Sequence, residues 1–173
     1  MGLLLQMTDT HILPAGELLY DTVDSALHLR QSVESINRMQ LRPDVVVITG
    51  DLVDHGDLAG YEHFIRLISP LEMPVYVIPG NHDDPQVMRE AFAKTDWFPV
   101  ADETFQYAVE DLPFRILAMN SNADGTELPE LCSKRLAWLE KQLEVSDRPT
   151  VIAMHHPPMK TGIELIEIGR AHV

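Results

Sequence analysis

The hydrophobic pattern contains a short apolar run that ends at an acid, and this run is the most strand-like stretch of the chain. Val45–Ile48 is a run of four β-branched residues, which is typical of a strand covered on both faces in a parallel sheet. Gly50 then allows a sharp turn, and Asp51 follows it just past the carboxyl end of the strand. Open α/β sheets bind their ligands at this edge. The pattern therefore predicts a ligand site around Asp51.

Three further apolar runs end in the same way. A single aspartate after a strand is more often a capping or loop residue than a functional one. Four polar strand ends that converge on one edge of a sheet favour a shared site instead. The three runs, each with the polar residues that follow it, are Leu3–Thr8 with Asp9 and His11, Val75–Pro79 with Asn81, His82 and Asp83, and Val151–Met154 with His155 and His156.

Apolar residues at helical spacing predict four helices between the strands. The first starts at a cap formed by Asp24 or Ser25 and stops before Pro43, which cannot continue a helix. Pro85 suits the first turn of a short third helix. The predicted inward residues are Leu29, Val33, Ile36 and Met39 in the first helix, Tyr61, Phe64, Leu67 and Ile68 in the second (Tyr61–Ile68), and Leu136, Leu139 and Leu143 in the fourth (Ser133–Leu143), while the third runs from Pro85 to Lys94.

The pattern changes in the second half of the chain. Thr104–Val109 and Phe114–Met119 flank Glu110–Pro113, which predicts an antiparallel hairpin after two β-α-β units. The predicted fold class is therefore α/β with mixed sheets. At 173 residues, 45% of them hydrophobic, the chain can bury a core as a single domain over residues 1–173.

Composition argues against several classes of function. The formal net charge of −14 repels polyanions, so we expect no general nucleic-acid binding, whereas acidic loops attract divalent cations. Met1–Gln6 lacks the features of a signal peptide, and no stretch has the length of a membrane span. The single cysteine, Cys132, excludes a disulfide framework and fits a cytoplasmic location. We expect Cys132 to be a small residue at the start of a helix.

The polar residues at the strand ends have the chemistry of a metal site. Aspartate, asparagine and histidine offer oxygen and nitrogen donors that suit Mn, Fe, Co, Zn or Mg. Asp51 lies on the central strand and could bridge two ions through its two oxygens. Such a pair of ions lowers the pKa of a shared water and holds both the attacking and the leaving oxygen of a phosphoryl group. His82 would then supply a proton to the leaving alcohol.

Four motifs resemble a known family. Asp9-x-His11, Gly50-Asp51-x-x-Asp54, Gly80-Asn-His-Asp83 and His155-His-Pro are similar to the first four motif blocks of the calcineurin-like metallophosphoesterases, in order and over nearly the whole chain. The residues within and beside these motifs are most similar to those of the bacterial branch of class III cyclic-nucleotide phosphodiesterases and glycerophosphodiesterases. The resemblance implies a four-layer α-β-β-α sandwich and hydrolysis of a phosphodiester, with a phosphomonoesterase as the alternative.

The resemblance also implies a ligand set for two metal ions among Mn, Fe, Zn and Co. Asp9, His11 and Asp51 would bind the first ion, and Asp51, Asn81 and His155 the second. Of the paired histidines the first is preferred, because the family ligand stands two places before a proline. The implied partner is a small-molecule phosphodiester, and homo-oligomerisation of the full-length parent stays open.

The same motifs imply the catalytic groups. His82 would face the substrate phosphate, and Asp51 would act in catalysis as the bridging ligand. We expect His156 to support His155 from outside the ligand set. Asp54 and Asp83 could either orient the ligands and cap loops or act directly. No function is assigned to His28, His55, His63 or His172.

One family block has no counterpart in the sequence. The family's Gly-His-x-His block, which adds a histidine to each ion, is absent, and Gly169–His172 does not match it. We therefore expect an N-terminal portion of a longer protein, incomplete at the C-terminus of the fold and weakly active or inactive by itself. Two other classes stay open, a phospho-acceptor receiver domain and a non-catalytic scaffold. The receiver domain is disfavoured because the late strand ends in histidines rather than lysine, and the scaffold because the ligand set is intact.

Overall fold

The first sheet is parallel, and its central strand is fully buried. The computed structural model describes residues 2–100, 102–123, 128–145, 147–163 and 168. Strands β1 (Leu4–Met7), β2 (Val45–Thr49) and β3 (Val75–Ile78) form this sheet in the order β1-β2-β3. β2 is buried along its whole length, as its β-branched run predicts. Because all three strands are parallel, their carboxyl ends meet at one edge.

Three helices cover the outer face of this sheet. They are α1 (Ser25–Asn37), α2 (Leu58–Ile68) and α3 (Pro85–Ala91). α1 contacts α2, and α2 contacts α3. Each helix begins at an aspartate whose side chain accepts a backbone N–H of the first turn, which satisfies a donor that the helix leaves free. The three caps are Asp24, Asp57 and Asp84.

A second, mixed sheet lies against the first. It contains β4 (Tyr107–Val109), β5 (Arg115–Ala118) and β6 (Thr150–Ala153) in the order β4-β5-β6. β4 and β5 form the predicted antiparallel hairpin, and β6 is parallel to β5. The Tyr107 hydroxyl donates to the Val77 carbonyl oxygen at 2.6 Å and ties the two sheets together.

The fourth helix completes a sandwich of four layers. α4 (Ser133–Glu144) begins at Cys132, as predicted, and covers the outer face of the second sheet, where Arg115 Nη1 donates to the Gln142 carbonyl at 2.7 Å. Ile116 belongs to the core between the sheets, whereas the side chains before and after it point toward α4. The layers therefore run helix, sheet, sheet, helix, which confirms the predicted fold class. None of the helices in the described residues is long and apolar enough to cross a bilayer.

Several details of the predicted pattern are wrong. Met39 is exposed because α1 closes at Arg38, and α3 ends at Ala91 rather than Lys94. On α4 the predicted inward leucines Leu136 and Leu143 are 41% and 44% exposed. Their exposure follows from the edge position of β6, since no further described strand lies beyond it for α4 to cover.

His63, to which the sequence assigns no function, connects α2 to a neighbouring loop. It is half-buried on α2, and its Nδ1 lies 2.7 Å from the Leu13 carbonyl oxygen. The contact ties α2 to the loop that follows β1, which approaches the strand ends. His172 and the Gly169–His172 segment lie outside the described residues.

Replacing Phe64 tests how much α2 contributes to the core. Phe64 is 0% exposed and packs edge-on against Phe92, with ring centroids 6.2 Å apart. We expect Phe64→Ala to lower the free energy of unfolding by about 3–5 kcal/mol, since it leaves a cavity that a packed core fills only in part. Urea denaturation would measure the change. The control Leu41→Ala removes a side chain that is 70% exposed, and a loss for Phe64→Ala no larger than that of the control would contradict the assigned core.

Candidate metal centre

The edge where the parallel strands end has a strained backbone. Asp9, His11 and Asp51 have φ angles of 55°, 41° and 50°. These values lie in the left-handed region, which residues other than glycine rarely adopt and which clusters at functional sites. Backbone bonds hold this conformation: Asp9 N donates to the Gly50 carbonyl at 3.0 Å, and His11 N donates to the Asp51 carbonyl at 2.9 Å. The ends of β1 and β2 are thus locked together.

Two glycines allow three segments to come into contact at this edge. A Cβ atom on Gly50 would lie 2.6 Å from His155 Nδ1, and its φ of 98° also favours glycine. A Cβ atom on Gly80 would collide with the backbone and carboxylate of Asp51. The glycines of the second and third motifs are therefore needed for close approach of the segments after β2, β3 and β6.

The Asp51 carboxylate points its two oxygens at two different histidines. Asp51 Oδ2 lies 3.5 Å from His11 Nε2, which is itself 3.9 Å from Asp9 Oδ1. Asp51 Oδ1 lies 3.6 Å from His155 Nε2, which is 3.1 Å from Asn81 Oδ1. The structure thus brings all five residues predicted as ligands together, in two groups that share Asp51.

The second nitrogen of each histidine has a partner that fixes the ring. His11 Nδ1 lies 3.0 Å from Asp54 Oδ1, and His155 Nδ1 lies 2.9 Å from the Thr49 carbonyl oxygen. Both partners are acceptors, which assigns the proton to Nδ1 and leaves the Nε2 lone pair toward the centre. His155 Nε2 and Asn81 Oδ1 then face each other as two acceptors, an arrangement that a cation between them would satisfy. The donor set therefore fits metal ions.

His82 lies beside the first of the two groups. Its ring meets that of His11 edge-on, with centroids 4.7 Å apart, and its Nδ1 lies 3.0 Å from the Asp54 carbonyl oxygen. Its backbone N–H donates to Asp51 Oδ1 at 3.0 Å. Ligand atoms of His11, Asp51 and His82 come within 4.8 Å of one another, as do those of Asp9, Asp51 and His155. His82 is thus close enough either to act on a substrate or to bind an ion.

Asp83 joins the two loops that carry the predicted ligands. Its buried carboxylate accepts the N–H of Leu52 at 3.1 Å, the N–H of Gly80 at 2.9 Å and the hydroxyl of Tyr61 at 3.0 Å. Burial raises the pKa of Asp83 to about 6, although these N–H groups lower it. Burial and the nearby Asp83 also raise the pKa of Tyr61, which keeps its hydroxyl protonated as a donor. Asp83 therefore fixes the loop after β2 and the loop after β3 relative to each other.

His156 lies behind His155 and away from the centre. It is buried, its ring meets that of His155 edge-on with centroids 4.8 Å apart, and its Nδ1 lies 2.9 Å from Ser121 Oγ. Burial and the neighbouring His155 lower the pKa of His156 to about 4, so the ring is neutral at physiological pH. This position agrees with the predicted supporting role.

Comparison with known proteins identifies the family. The family model of the calcineurin-like phosphoesterases matches residues 3–170. The chain belongs to the calcineurin-like phosphoesterase family. This membership rules out the receiver-domain alternative and agrees with the two-sheet sandwich. A purple acid phosphatase from yellow lupin, PPD1, shares the fold with a TM-score of 0.50 at 18% identity, over 83% of this chain and 28% of that one.

Relatives in this family are bacterial phosphodiesterases. A probable glycerophosphodiester phosphodiesterase, GpdQ, of Arcobacter nitrofigilis is 37% identical over 172 residues, which are 99% of this chain and 63% of that protein. A probable cyclic nucleotide phosphodiesterase of Rhodococcus erythropolis is 32% identical over 161 residues, which are 90% of this chain and 52% of that protein. The chain thus spans between half and two thirds of the length of these relatives.

One segment beside the candidate metal centre was not predicted from the sequence. Asn120–Asn122 follows β5, is buried, and contacts both Gly80 and His156. The signal was present, because Phe114–Met119 is another apolar run that ends in polar residues. The hairpin pattern explains that run by itself, so the polar residues at its end were not predicted as part of the site.

Asp54 provides a test of how the His11 ring is oriented in the candidate metal centre. Asp54→Asn keeps the shape of the side chain but weakens the acceptor for His11 Nδ1, so the affinity for the first ion should fall by about 10–100-fold, as for other outer-shell partners of metal-binding histidines. Calorimetric titration with Mn²⁺ would measure it. Asp57→Asn is the matched control, because asparagine caps a helix as well as aspartate does. Equal affinities in the Asp54 and Asp57 variants would contradict the orienting role.

Proposed function

We propose that the protein hydrolyses a phosphodiester with the help of two bound metal ions. The proposal rests chiefly on the Asp51 carboxylate, whose oxygens lie 3.5 Å and 3.6 Å from the Nε2 atoms of His11 and His155. A carboxylate that faces two separate nitrogen donors is suited to bridge two cations. Family membership supports the same chemistry.

The chain supplies a ligand set for each ion. Asp9 and His11 would hold the first ion, Asn81 and His155 the second, and Asp51 both. These oxygen and nitrogen donors suit Mn, Fe, Zn or Co. When bound, such a pair acts as a Lewis acid toward the phosphoryl oxygens and lowers the pKa of a water between the ions.

His82 would donate the proton that the leaving alcohol requires. The Asp54 carbonyl lies 3.0 Å from His82 Nδ1 and orients the ring, and Nε2 would be the atom that acts on the substrate. Attack of a water oxygen on phosphorus would form one P–O bond and break the ester P–O bond, which leaves an alkoxide. Because Nδ1 faces a carbonyl acceptor, His82 would donate from Nε2 as the imidazolium, which would convert the alkoxide to the alcohol and leave the ring neutral. Asp51 serves this step indirectly, because its Oδ1 accepts the His82 N–H and fixes the backbone at that residue.

The charge of the site favours a diester as the substrate. Asp9, Asp51 and Asp54 would offset most of the charge of two divalent ions. The motif segments carry no lysine or arginine that would add positive charge to hold the dianion of a phosphomonoester. The names of the relatives given above describe one as a probable glycerophosphodiester phosphodiesterase and the other as a probable cyclic nucleotide phosphodiesterase. We therefore propose a small-molecule phosphodiester of one of these classes. A cytoplasmic location, the absence of general nucleic-acid binding and homo-oligomerisation of a longer parent stay predictions.

Turnover of two aryl phosphates would test the proposed function. We expect Mn²⁺-dependent hydrolysis of bis(p-nitrophenyl) phosphate to exceed that of p-nitrophenyl phosphate. Because the chain spans 63% of the Arcobacter relative, the assay includes a second form extended at its C-terminus through a Gly-His-x-His segment. We expect the extended form to be the more active. Two tightly bound ions without turnover in either form would favour the scaffold alternative, and faster monoester turnover would favour a phosphomonoesterase.

A further inference from the structure

The segment that follows β5 contacts the residues next to two predicted ligands of the second ion. The side chains of Asn120, Ser121 and Asn122 are buried between the two sheets and the loops at the strand ends. The Asn120 amide donates to the Thr104 carbonyl at 3.3 Å, and Asn120 Oδ1 accepts the Asn122 N–H at 3.0 Å. The segment is therefore held rigidly before it reaches the metal centre.

Ser121 fixes the backbone next to His155. Its Oγ accepts the N–H of His156 at 3.2 Å and lies 2.9 Å from His156 Nδ1. A hydroxyl carries one proton and two lone pairs, so it can accept from the N–H and donate to the ring nitrogen at the same time. Both contacts hold residue 156, and residue 155 is joined to it by a single peptide bond.

Asn122 fixes the backbone next to Asn81. Its Nδ2 donates to the Gly80 carbonyl oxygen at 2.6 Å. Asn122 is 6% exposed, and within the described part of the chain its Oδ1 is buried without a hydrogen-bond partner. A buried unpaired acceptor is costly, which indicates that the amide is retained for the bond that its other end makes.

The ligands of the first ion are held by different residues. His11 N donates to the Asp51 carbonyl, and the Ser25 hydroxyl donates to the His11 carbonyl at 3.0 Å. Asp9 N donates to the Gly50 carbonyl. The first ligand group is thus held by the segment after β2 and by Ser25. The second group also contacts the end of β2 through the Thr49 carbonyl, but the segment after β5 supports this group alone.

We propose that Asn120–Asn122 is a positioning segment for the second metal ion, which sets the affinity of that ion independently of the first. The inference rests on the proposed two-ion function. Ser121 and Asn122 place His155 and Asn81 so that His155 Nε2 and Asn81 Oδ1 lie 3.1 Å apart. Loss of either contact should widen this pair and leave Asp9 and His11 in place.

Titration of the whole chain with Mn²⁺, followed by electron paramagnetic resonance, separates the two ions, because an ion pair gives a spin-coupled signal and a single ion does not. In Ser121→Ala we expect an unchanged first dissociation constant and a second one raised by about 10–100-fold. Asn122→Asp, which has the same shape but no amide donor, should behave alike. The control Ser25→Ala removes a hydroxyl that supports His11 and should leave the second ion unaffected.

A measurement on the unaltered protein keeps the test decisive if these variants fail to fold. In an NMR titration with Zn²⁺, the side-chain amide of Asn122 should shift with the second equivalent and not with the first. A shift with the first equivalent, or equal weakening of both ions in Ser121→Ala, would overturn the positioning role. Two ions bound normally by Ser121→Ala would reject only this inference, whereas an unaltered protein that never binds two ions would reject the proposed function as well.

Discussion

Asp51→Asn should abolish the binding of both metal ions. The substitution keeps the size of the side chain but removes the charge and one of the two oxygens that face His11 and His155. Outer-shell partners are worth about 10–100-fold in metal affinity, so we expect the loss of a shared ligand to exceed about 100-fold at each site. Metal analysis after dialysis against Mn²⁺ would measure the stoichiometry.

The control for this experiment is the same change six residues later. Asp57 caps α2 through its Oδ1, which accepts the Gly60 N–H at 2.6 Å, and asparagine serves equally well as a cap. We therefore expect Asp57→Asn to keep both ions. Retention of two tightly held ions by Asp51→Asn would show that the carboxylate is not the bridge.

His82→Gln should slow catalysis while both ions remain bound. General acids contribute about 10²–10⁴-fold to a rate, so we expect a loss of this size with a glycerophosphodiester, whose alkoxide leaving group needs a proton. p-Nitrophenolate leaves without protonation, so the loss with bis(p-nitrophenyl) phosphate should be much smaller. kcat for both substrates, measured in the more active of the two forms described above, gives the comparison.

Metal content decides between the two roles that geometry allows for His82. Its ligand atoms lie within 4.8 Å of those of His11 and Asp51, so it could instead bind the first ion. Loss of an ion in His82→Gln, or an equal loss of rate with both substrates, would contradict the role of proton donor. His55→Gln is the control, because His55 is exposed and its Nδ1 lies 3.4 Å from the Asp54 carboxylate, which His82 Nδ1 also approaches, at 3.8 Å.

The sequence was sufficient to predict the ligand-bearing edge of the first sheet. β2 is a continuous β-branched run, and parallel strands must place Asp9, Asp51 and Asn81 at the same edge. The five predicted ligands indeed converge, although which of them bind a metal ion stays a proposal. The similarity of the four motifs to those of the family implied the same set of ligands.

Other features depended on contacts between distant parts of the chain. Asp83 accepts a hydrogen bond from Leu52, 31 residues earlier in the sequence, and Asn122 donates one to Gly80, 42 residues earlier. No local sequence pattern encodes either contact. The prediction that Leu136 and Leu143 of α4 face inward was wrong for a related reason. Helical spacing predicted an apolar face, but how far that face is buried depends on the number of strands beside β6.

An anomalous difference map from crystals grown with Mn²⁺ would test the central claim most directly. We expect two peaks about 3.5–4 Å apart, the usual spacing of a two-metal site. One should contact Asp51 Oδ2 and His11 Nε2, and the other Asp51 Oδ1 and His155 Nε2. A single peak, or two peaks of which only one contacts Asp51, would contradict a bridging carboxylate and the two-ion mechanism built on it.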